Sequence, residues 1–310
     1  MRMIAFSKDS KKMLVFLVLL SVAVAKESVW VMELTRGISP YAVARQLGLR
    51  YMHPVSIPGT SNLHAFRDDG NQARHAEISQ MAFDITPAAI RWHERQIPRQ
   101  QFKRSPKTAT GSSFTERDSR PNDPLYLQQW HLQPSSLAGV HMHAQEGWSA
   151  VQNVTPGREA VIAIVDDGLQ REHPDLRQNY QASLSHDFND DDADPTPQRG
   201  DGHGTSASGV AAAGANNSVC GVGVCPMCHL SGLRLIGGPS SDYMEAMALS
   251  YMPDKIAIYS NSWGPADDGR TMEGPGRVTM TAFEQMIVRG RNGKGSIYVW
   301  AGGNGGAAND

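Results

Sequence analysis

Apolar residues fall into two regimes along this chain. Residues 29–34, VWVMEL, form a strand-like run, and Ser39 and Pro40 then open a segment, YAVARQLGL, whose apolar positions recur at helical spacing. Stretches at 63–66 and 88–92 would complete a small α/β unit. From Pro121 onward the pattern changes. Continuous apolar runs at 160–165, 256–259 and 296–300 alternate with helix-like segments at 206–213, 243–250 and 278–289. A strand that is apolar on both faces has to be covered on both, so this alternation predicts a parallel sheet with helices on either side, an α/β architecture. No internal repeat interrupts it.

The two regimes are flanked by segments of other character. Lys8, Lys11 and Lys12 precede an apolar run over 13–25, broken only by Ser21 and ending in Ala23-Val24-Ala25. That run is shorter than the roughly 20 residues a membrane helix needs. With small residues at the cleavage positions it reads as a signal peptide over 1–25, removed after Ala25, with Met3 as an alternative start. Residues 105–120, rich in Ser, Thr, Lys and Pro, read as an exposed linker. The expected organisation is therefore 1–25 signal peptide, 26–104 small α/β domain, 105–120 linker and 121–310 larger α/β domain.

Hydrophobic residues make up 40% of the chain, enough for a sizeable core, and a net charge of −2 argues against nucleic-acid binding. The average hides an asymmetry. Residues 26–104 carry 11 Lys and Arg against 7 Asp and Glu, whereas 121–310 carry 11 against 21. A basic domain tethered to an acidic one suggests electrostatic docking, and part of the acidic excess is expected to solvate the surface or hold calcium.

In open parallel sheets ligands sit at the C-terminal strand ends, and three polar signals fall there. The run AVIAIV ends in Asp166-Asp167-Gly168, His203 opens a helix inside Asp201-Gly-His-Gly-Thr205, and SIYVW leads to Asn304 among glycines. An Asp that holds a His, with an Asn able to donate a hydrogen bond, makes up most of an acyl-transfer site.

These signals belong to an ordered set: Asp-Asp-Gly after the strand, HPDL at 173–176, HGT at 203–205, NNSVCGVGV at 216–224, NSWGPADDG at 261–269 and GSIYVWAGGNGG at 295–306. Together they resemble the catalytic domain of the kexin/furin-type proprotein convertases, calcium-dependent serine endoproteases of the subtilisin-like family, over about 123–310. The resemblance implies a subtilisin-like fold, with the unit over 26–104 as an inhibitory prodomain. It gives Asp166 the role of orienting the imidazole, His203 that of general base and Asn304 that of oxyanion donor. It also implies that Asp167 meets the second basic side chain before the cut, Asp267 the first, and Glu245 and Glu273 one further upstream, with Ser262 in the same cleft wall. The loop before His203 is shorter than in furin, so Asp201 is not assigned to a pocket.

The family's nucleophilic serine lies in a GTSA-like segment downstream of the asparagine, and the sequence given stops at Asp310. The expectation is that the chain as written lacks it. Gly204-Thr-Ser206-Ala spells a similar segment, but it follows His203 directly, and Ser206 reads as an ordinary helix residue. The basic domain ends Arg99-Gln-Gln-Phe-Lys103-Arg104, which makes Lys103-Arg104 the expected autoprocessing site. Gln101 stands where furin favours Arg, which points to a dibasic, kexin-like preference. A second cut at Arg67 or Arg74, with His64 or His75 as its pH sensor, is the alternative; the two are read here as ordinary surface histidines.

For calcium, the resemblance implies three sites: Asp187, Asp192 and Asp194; Asp123, Asp175 and Asn217 with the carbonyls of Gly214, Val219 and Gly221; and Asp267 with Asp310. Of three cysteines, Cys220 matches one whose disulfide partner lies after residue 310. Cys225 and Cys228 are read as a local disulfide or two buried thiols, not as a haem attachment. Asn153-Val-Thr155 is a glycan acceptor candidate. The expected partners are peptides or proproteins with dibasic sites and the chain's own prodomain, in the secretory pathway (Golgi or vesicles) or outside the cell. The competing reading is a short secreted product whose prodomain restrains an intact protease.

Overall fold

The computed structural model describes residues 28–70, 74–85, 88–104, 121–132, 141–151 and 160–306. The expected signal peptide, the 105–120 linker, Asn153 and Asp310 lie outside them. The chain divides into two compact units, one of residues up to 97 without 57–59 and the other of 98 onward together with 57–59. Residues 98–104, placed with the basic domain by sequence, thus belong to the second unit. No helix among the described residues is long and apolar enough to cross a membrane.

In the first unit β1 (Ser28–Leu34) is a central strand, antiparallel to both β3 (Leu63–Asp68) and β4 (Ile90–Gln96), with β2 (Arg50–Pro54) outside β3. Alternation along β1 turns Trp30, Met32 and Leu34 into one core with Val43, Leu47, Phe66, Ile78 and Ile90. Helix α1 (Pro40–Leu47) starts with Pro40, whose missing N–H costs nothing there. It stops at Gly48 (φ 64°), whose N–H closes on the Ala44 and Arg45 carbonyls. Helix α2 (His75–Ile85), absent from the sequence expectation, buries Ile78 and Ala82, one turn apart.

The second unit begins with β5 (Phe102–Lys103), followed by α3 (Ala144–Val151) and the central strand β6 (Val161–Asp166). Around β6 a five-stranded sheet runs in the order β11-β9-β6-β8-β7, every neighbouring pair parallel. Its other members are β7 (His186–Asp187), β8 (His229–Arg234), β9 (Ile258–Asn261) and β11 (Ile297–Trp300). Every residue of β6 is buried, which is why its sequence shows no polar alternation. Val161, Ala163 and Val165 pack on one side with Leu249 of α5 (Asp242–Leu249) and Phe283 of α6 (Arg277–Gly293). Ile162 and Ile164 pack on the other with Ala212 of α4 (His203–Ala212). The sheet is therefore covered on both faces, as the run pattern requires. Helical backbone in α6 ends before Gly290, because Gly290, Arg291 and Asn292 leave helical geometry.

The start of α6 is fixed from a distance. The buried Asp242 carboxylate accepts from the Val278 (2.7 Å) and Thr279 (3.1 Å) amides, two donors that the first helical turn leaves without partners. Asp242→Ala is expected to cost about 1–2 kcal/mol, the upper range for a lost helix cap. A urea midpoint unchanged from the parent chain would show that the cap carries nothing.

Candidate active site

Strand β6 delivers Asp166 to its C-terminal end, and α4 starts at His203 beside it. The Asp166 carboxylate is 1% exposed, and His203 Nδ1 lies 2.8 Å and 2.9 Å from its two oxygens. Such closeness demands a residue without a side chain next to the histidine. A Cβ on Gly204 would come within 2.2 Å of the Gly168 carbonyl oxygen, a backbone atom that cannot swing aside.

Across these groups lies an extended segment of the chain itself. The Arg99 amide donates to the Ser240 carbonyl (2.7 Å) and the Ser240 amide returns a bond (3.1 Å). Phe102 and Lys103 of β5 pair antiparallel with Gly264 and Trp263 of β10 (Trp263–Gly264), and the Arg104 amide donates to the Ser262 carbonyl (2.8 Å). The segment is bound as an added strand, with main-chain bonds holding it and alternate side chains entering pockets.

The pockets are acidic. Lys103 Nζ sits 2.7 Å from both Asp167 Oδ2 and Asp201 Oδ1. Burial pushes the Asp167 carboxyl upward, but Lys103 and the Gly204 and His203 amides outweigh it and hold it below its usual range. Lys103 is held above its usual value, the two carboxylates outweighing its own burial. Arg104 reaches Asp267 Oδ1 (3.3 Å) and the Ala301 carbonyl (3.2 Å). A Cβ on Gly264 or Gly303 would meet that guanidinium, at 2.6 Å and 2.7 Å. Further along, the Gln101 amide donates to buried Glu245 (3.1 Å), and Arg99 donates to the carbonyl of Gly274, the residue after Glu273. Burial raises the Glu245 carboxyl above its ordinary value in spite of Gln101, Arg99 and Ser240. Glu245 and Glu273 line one pocket with Arg99, Gln101, Trp263 and Trp300.

The imidazole of His203 has acceptors on both sides, the Asp166 carboxylate and the backbone carbonyl of Arg104. Two acceptors favour the imidazolium, so its pKa rises, with the Asp166 hydrogen bond as the largest cause. Burial raises Asp166 in turn, against the pull of the imidazole. A raised histidine contributes stability that is present below about pH 6.5 and lost as pH climbs through the folded value. In Asp166→Asn, His203 is expected to titrate at lower pH than in the parent chain. Ring-proton NMR shifts follow it directly, and an unmoved titration would contradict the pairing.

Asn304 stands at the same cleft. Its backbone amide donates to Asp267 Oδ2 (2.9 Å), and it follows Gly303, which backs Arg104. Ser206 does not turn toward His203, since its hydroxyl donates to the Gly202 carbonyl one helical turn back (3.0 Å). Asp201, left out by the sequence reading because its loop is short, reaches Lys103 nonetheless, which corrects that omission. A basic partner for it lay 98 residues away and no local pattern reveals such a pair.

The expected calcium ligands differ in how they are arranged. The Asp123 carboxylate accepts from the Asn216 (2.7 Å) and Asn217 (3.2 Å) amides, and Asp175 accepts from the Asn217 side chain (2.7 Å). The Val219 amide donates to Asn217 Oδ1, the Gly214 amide to the Asp175 carbonyl, and the Gly221 amide to the Asp175 carboxylate. Burial and then Asp123 raise the Asp175 carboxyl, as expected for two enclosed like charges, a pair whose charge a hard cation would neutralise. Asp187 is different. It is buried against Arg234, which also takes Asp190 at 2.8 Å, so its charge is already neutralised. Asp192 and Asp194 bond their own following backbone, at the Asp194 and Thr196 amides, and no convergence of Asp187, Asp192 and Asp194 is found among the described residues. Asp267 is engaged by Arg104 and Asn304, and its expected companion Asp310 lies outside the described residues. Cys225 and Cys228 are joined in a disulfide, the first of the two alternatives, and Cys220 is free and exposed.

Comparison with known proteins bears on this geometry. Residues 157–310 match the Subtilase family. The chain is 40% identical over 266 residues to "Endoprotease bli-4" of Caenorhabditis elegans and 42% identical over 244 residues to "Furin" of Rattus norvegicus. These alignments cover 76% and 77% of this chain and 28% of each relative, so the chain spans little more than a quarter of their length. Among solved structures, fervidolysin from Fervidobacterium pennivorans, a keratinolytic enzyme related to subtilisin, superposes with a TM-score of 0.64 over 90% of this chain and 40% of that one. At 18% identity that likeness concerns the fold.

Proposed function

The chain belongs to the subtilase family, in its kexin/furin-type branch, and from that premise we propose that it is the cleft-bearing part of a calcium-dependent serine endoprotease that cuts proproteins after paired basic residues. The observation that carries the reading is the seat of its own Lys103-Arg104. Lys103 is shared by Asp167 and Asp201, Arg104 is held by Asp267, and the Arg104 carbonyl rests on the imidazole paired with Asp166. The paired basic residues thus bring the bond after Arg104 to the histidine that would serve as general base, which is where a peptidase has to hold the bond it cuts.

In this reading Asp166 fixes the tautomer and stabilises the imidazolium, and His203 takes the proton of a serine hydroxyl and returns it to the leaving amine. Asn304 would donate to the oxyanion. Ser206, whose hydroxyl donates to the Gly202 carbonyl, is not assigned as that serine. While Arg104 occupies the cleft, the imidazole donates to its carbonyl and is unavailable as a base, so residues 99–104 act as the inhibitory end of a prodomain over 26–104. Residues 105–120 then serve as the linker and 121–310 as the catalytic domain. Asp123, Asp175 and Asn217, with carbonyls of Gly214, Val219 and Gly221, would hold calcium, which supplies charge neutralisation and rigidity rather than chemistry. Entry into the secretory pathway follows from the signal-like segment over 1–25.

The open reading frame, expressed as far as the transcript extends, should cleave a quenched peptide of sequence 99–105 after its Arg. His203→Ala should remove that turnover and Ser206→Ala should leave it intact. Turnover that survives His203→Ala would defeat the proposal.

A further inference from the structure

Away from the cleft, at the start of α3, His141, His143 and Glu146 bring one ligand atom each within 4.8 Å of one another, the one such convergence of three His, Cys, Asp or Glu groups among the described residues. We propose that these three side chains form a binding site for a divalent transition-metal ion of the zinc class.

Two imidazoles and a carboxylate are a donor set suited to zinc and its first-row neighbours, and poorly suited to calcium, which takes oxygens. The dimensions agree. Metal–ligand bonds of about 2.0–2.1 Å arranged tetrahedrally put neighbouring donors roughly 3.3 Å apart. His143 Nδ1 and Glu146 Oε1 already stand 3.1 Å apart. The two imidazole rings lie 4.1 Å apart between centroids, and the His143 amide donates to His141 Nδ1 (3.2 Å), a bond that a metal taking that nitrogen would replace. His143 holds a left-handed backbone, φ 54°, a conformation uncommon for a histidine, and it folds the His-Met-His turn back on itself.

The helix behind the site is anchored rather than free. Ala144 is buried in a cluster with Tyr126, Leu132 and Val222, Trp148 donates its indole N–H to the Val224 carbonyl (2.8 Å), and Gln145 donates to the Tyr126 hydroxyl (2.7 Å). One face of α3 is thus fixed to the second unit while His143 and Glu146 are exposed on the other, with His141 half-buried. Ligands on a supported helix turn lose little freedom on binding, which favours a preformed site. Three protein donors leave a fourth position for water or an outside group.

An i,i+3 side-chain pair explains the His143–Glu146 contact by itself, but it leaves the third donor unexplained. The discriminating experiment is titration of the full chain with Co²⁺ alone, followed by visible absorption. One Co²⁺ per chain with d–d bands, displaced by equimolar Zn²⁺ and unaffected by millimolar Ca²⁺, is the expected result. In His141→Gln/His143→Gln the bands should vanish, with Zn²⁺ affinity down by more than about 100-fold, beyond the loss seen when only a ligand's supporting partner is removed. His173→Gln should behave as the parent chain. Protection of His141 and His143 from diethyl pyrocarbonate by Zn²⁺ reads the same site without any substitution. Absent bands, bands that persist in the double variant, or no protection would overturn the assignment.

Discussion

Replacing Lys103 and Arg104 together by alanine is expected to open the cleft to an added peptide of sequence Arg-Gln-Gln-Phe-Lys-Arg. In the parent chain that peptide competes with a tethered copy of itself, present at an effective concentration on the order of millimolar, and should bind poorly. In the variant the tethered copy has lost its anchors. Truncating one partner of a buried, hydrogen-bonded charge pair costs about 2–5 kcal/mol, or roughly 30- to 5,000-fold in affinity. The Lys103–Asp167 pair qualifies through its carboxylate, although Lys103 itself is partly exposed, so the lower half of that range is expected. Fluorescence anisotropy of the labelled peptide measures the gain. Equal affinity in both chains would mean that residues 99–104 do not hold the cleft. Acidification to pH 5 should not mimic the variant. Asp167 is held below its usual value, so its contribution is complete above about pH 4 and disappears only as pH falls through the depressed value.

The largest stability effect is expected at Arg234. This side chain is 2% exposed and neutralises the equally enclosed Asp187. Arg234→Met would leave that carboxylate buried without a counter-charge, an error worth about 3–5 kcal/mol. Domains of this kind have only about 5–15 kcal/mol in total. Urea unfolding should show a large fall in midpoint, and Asp187→Asn added to Arg234→Met should recover part of it, because two residues in one ion pair do not contribute additively. An unfolding free energy within a few tenths of a kcal/mol of the parent chain's would show that the pair is dispensable.

What the sequence makes readable here follows from the range over which each signal acts. The run AVIAIV announces a strand buried on both faces, and Asp166, His203 and Asn304 stand out because each sits where an apolar run or a glycine turn breaks off. The structure joins Asp166 to His203 and sets Asn304 at the wall that binds Arg104, across separations no window of sequence spans. Helix α2 escapes notice because its apolar residues alternate with small and polar ones around an 11-residue length, too few turns for a clear stripe. The acidic stretch at 187–194 hides a pairing for a different reason. Composition counts its carboxylates alike, whereas Asp187 takes a guanidinium 47 residues further on. Asp201 is the converse case, a carboxylate passed over because its partner is distant. The histidines at 141 and 143 draw no attention in a line of text, since only a left-handed turn at His143 brings them together.

The central claim is that Asp166 and His203 act on the bond after Lys103-Arg104. N-terminal sequencing of the protein secreted from cells that express the whole open reading frame tests it in one step. The account predicts a mature chain beginning at Ser105, and an uncut chain from His203→Ala; an intact 104–105 bond in the parent protein, or the same cut in both, would contradict it.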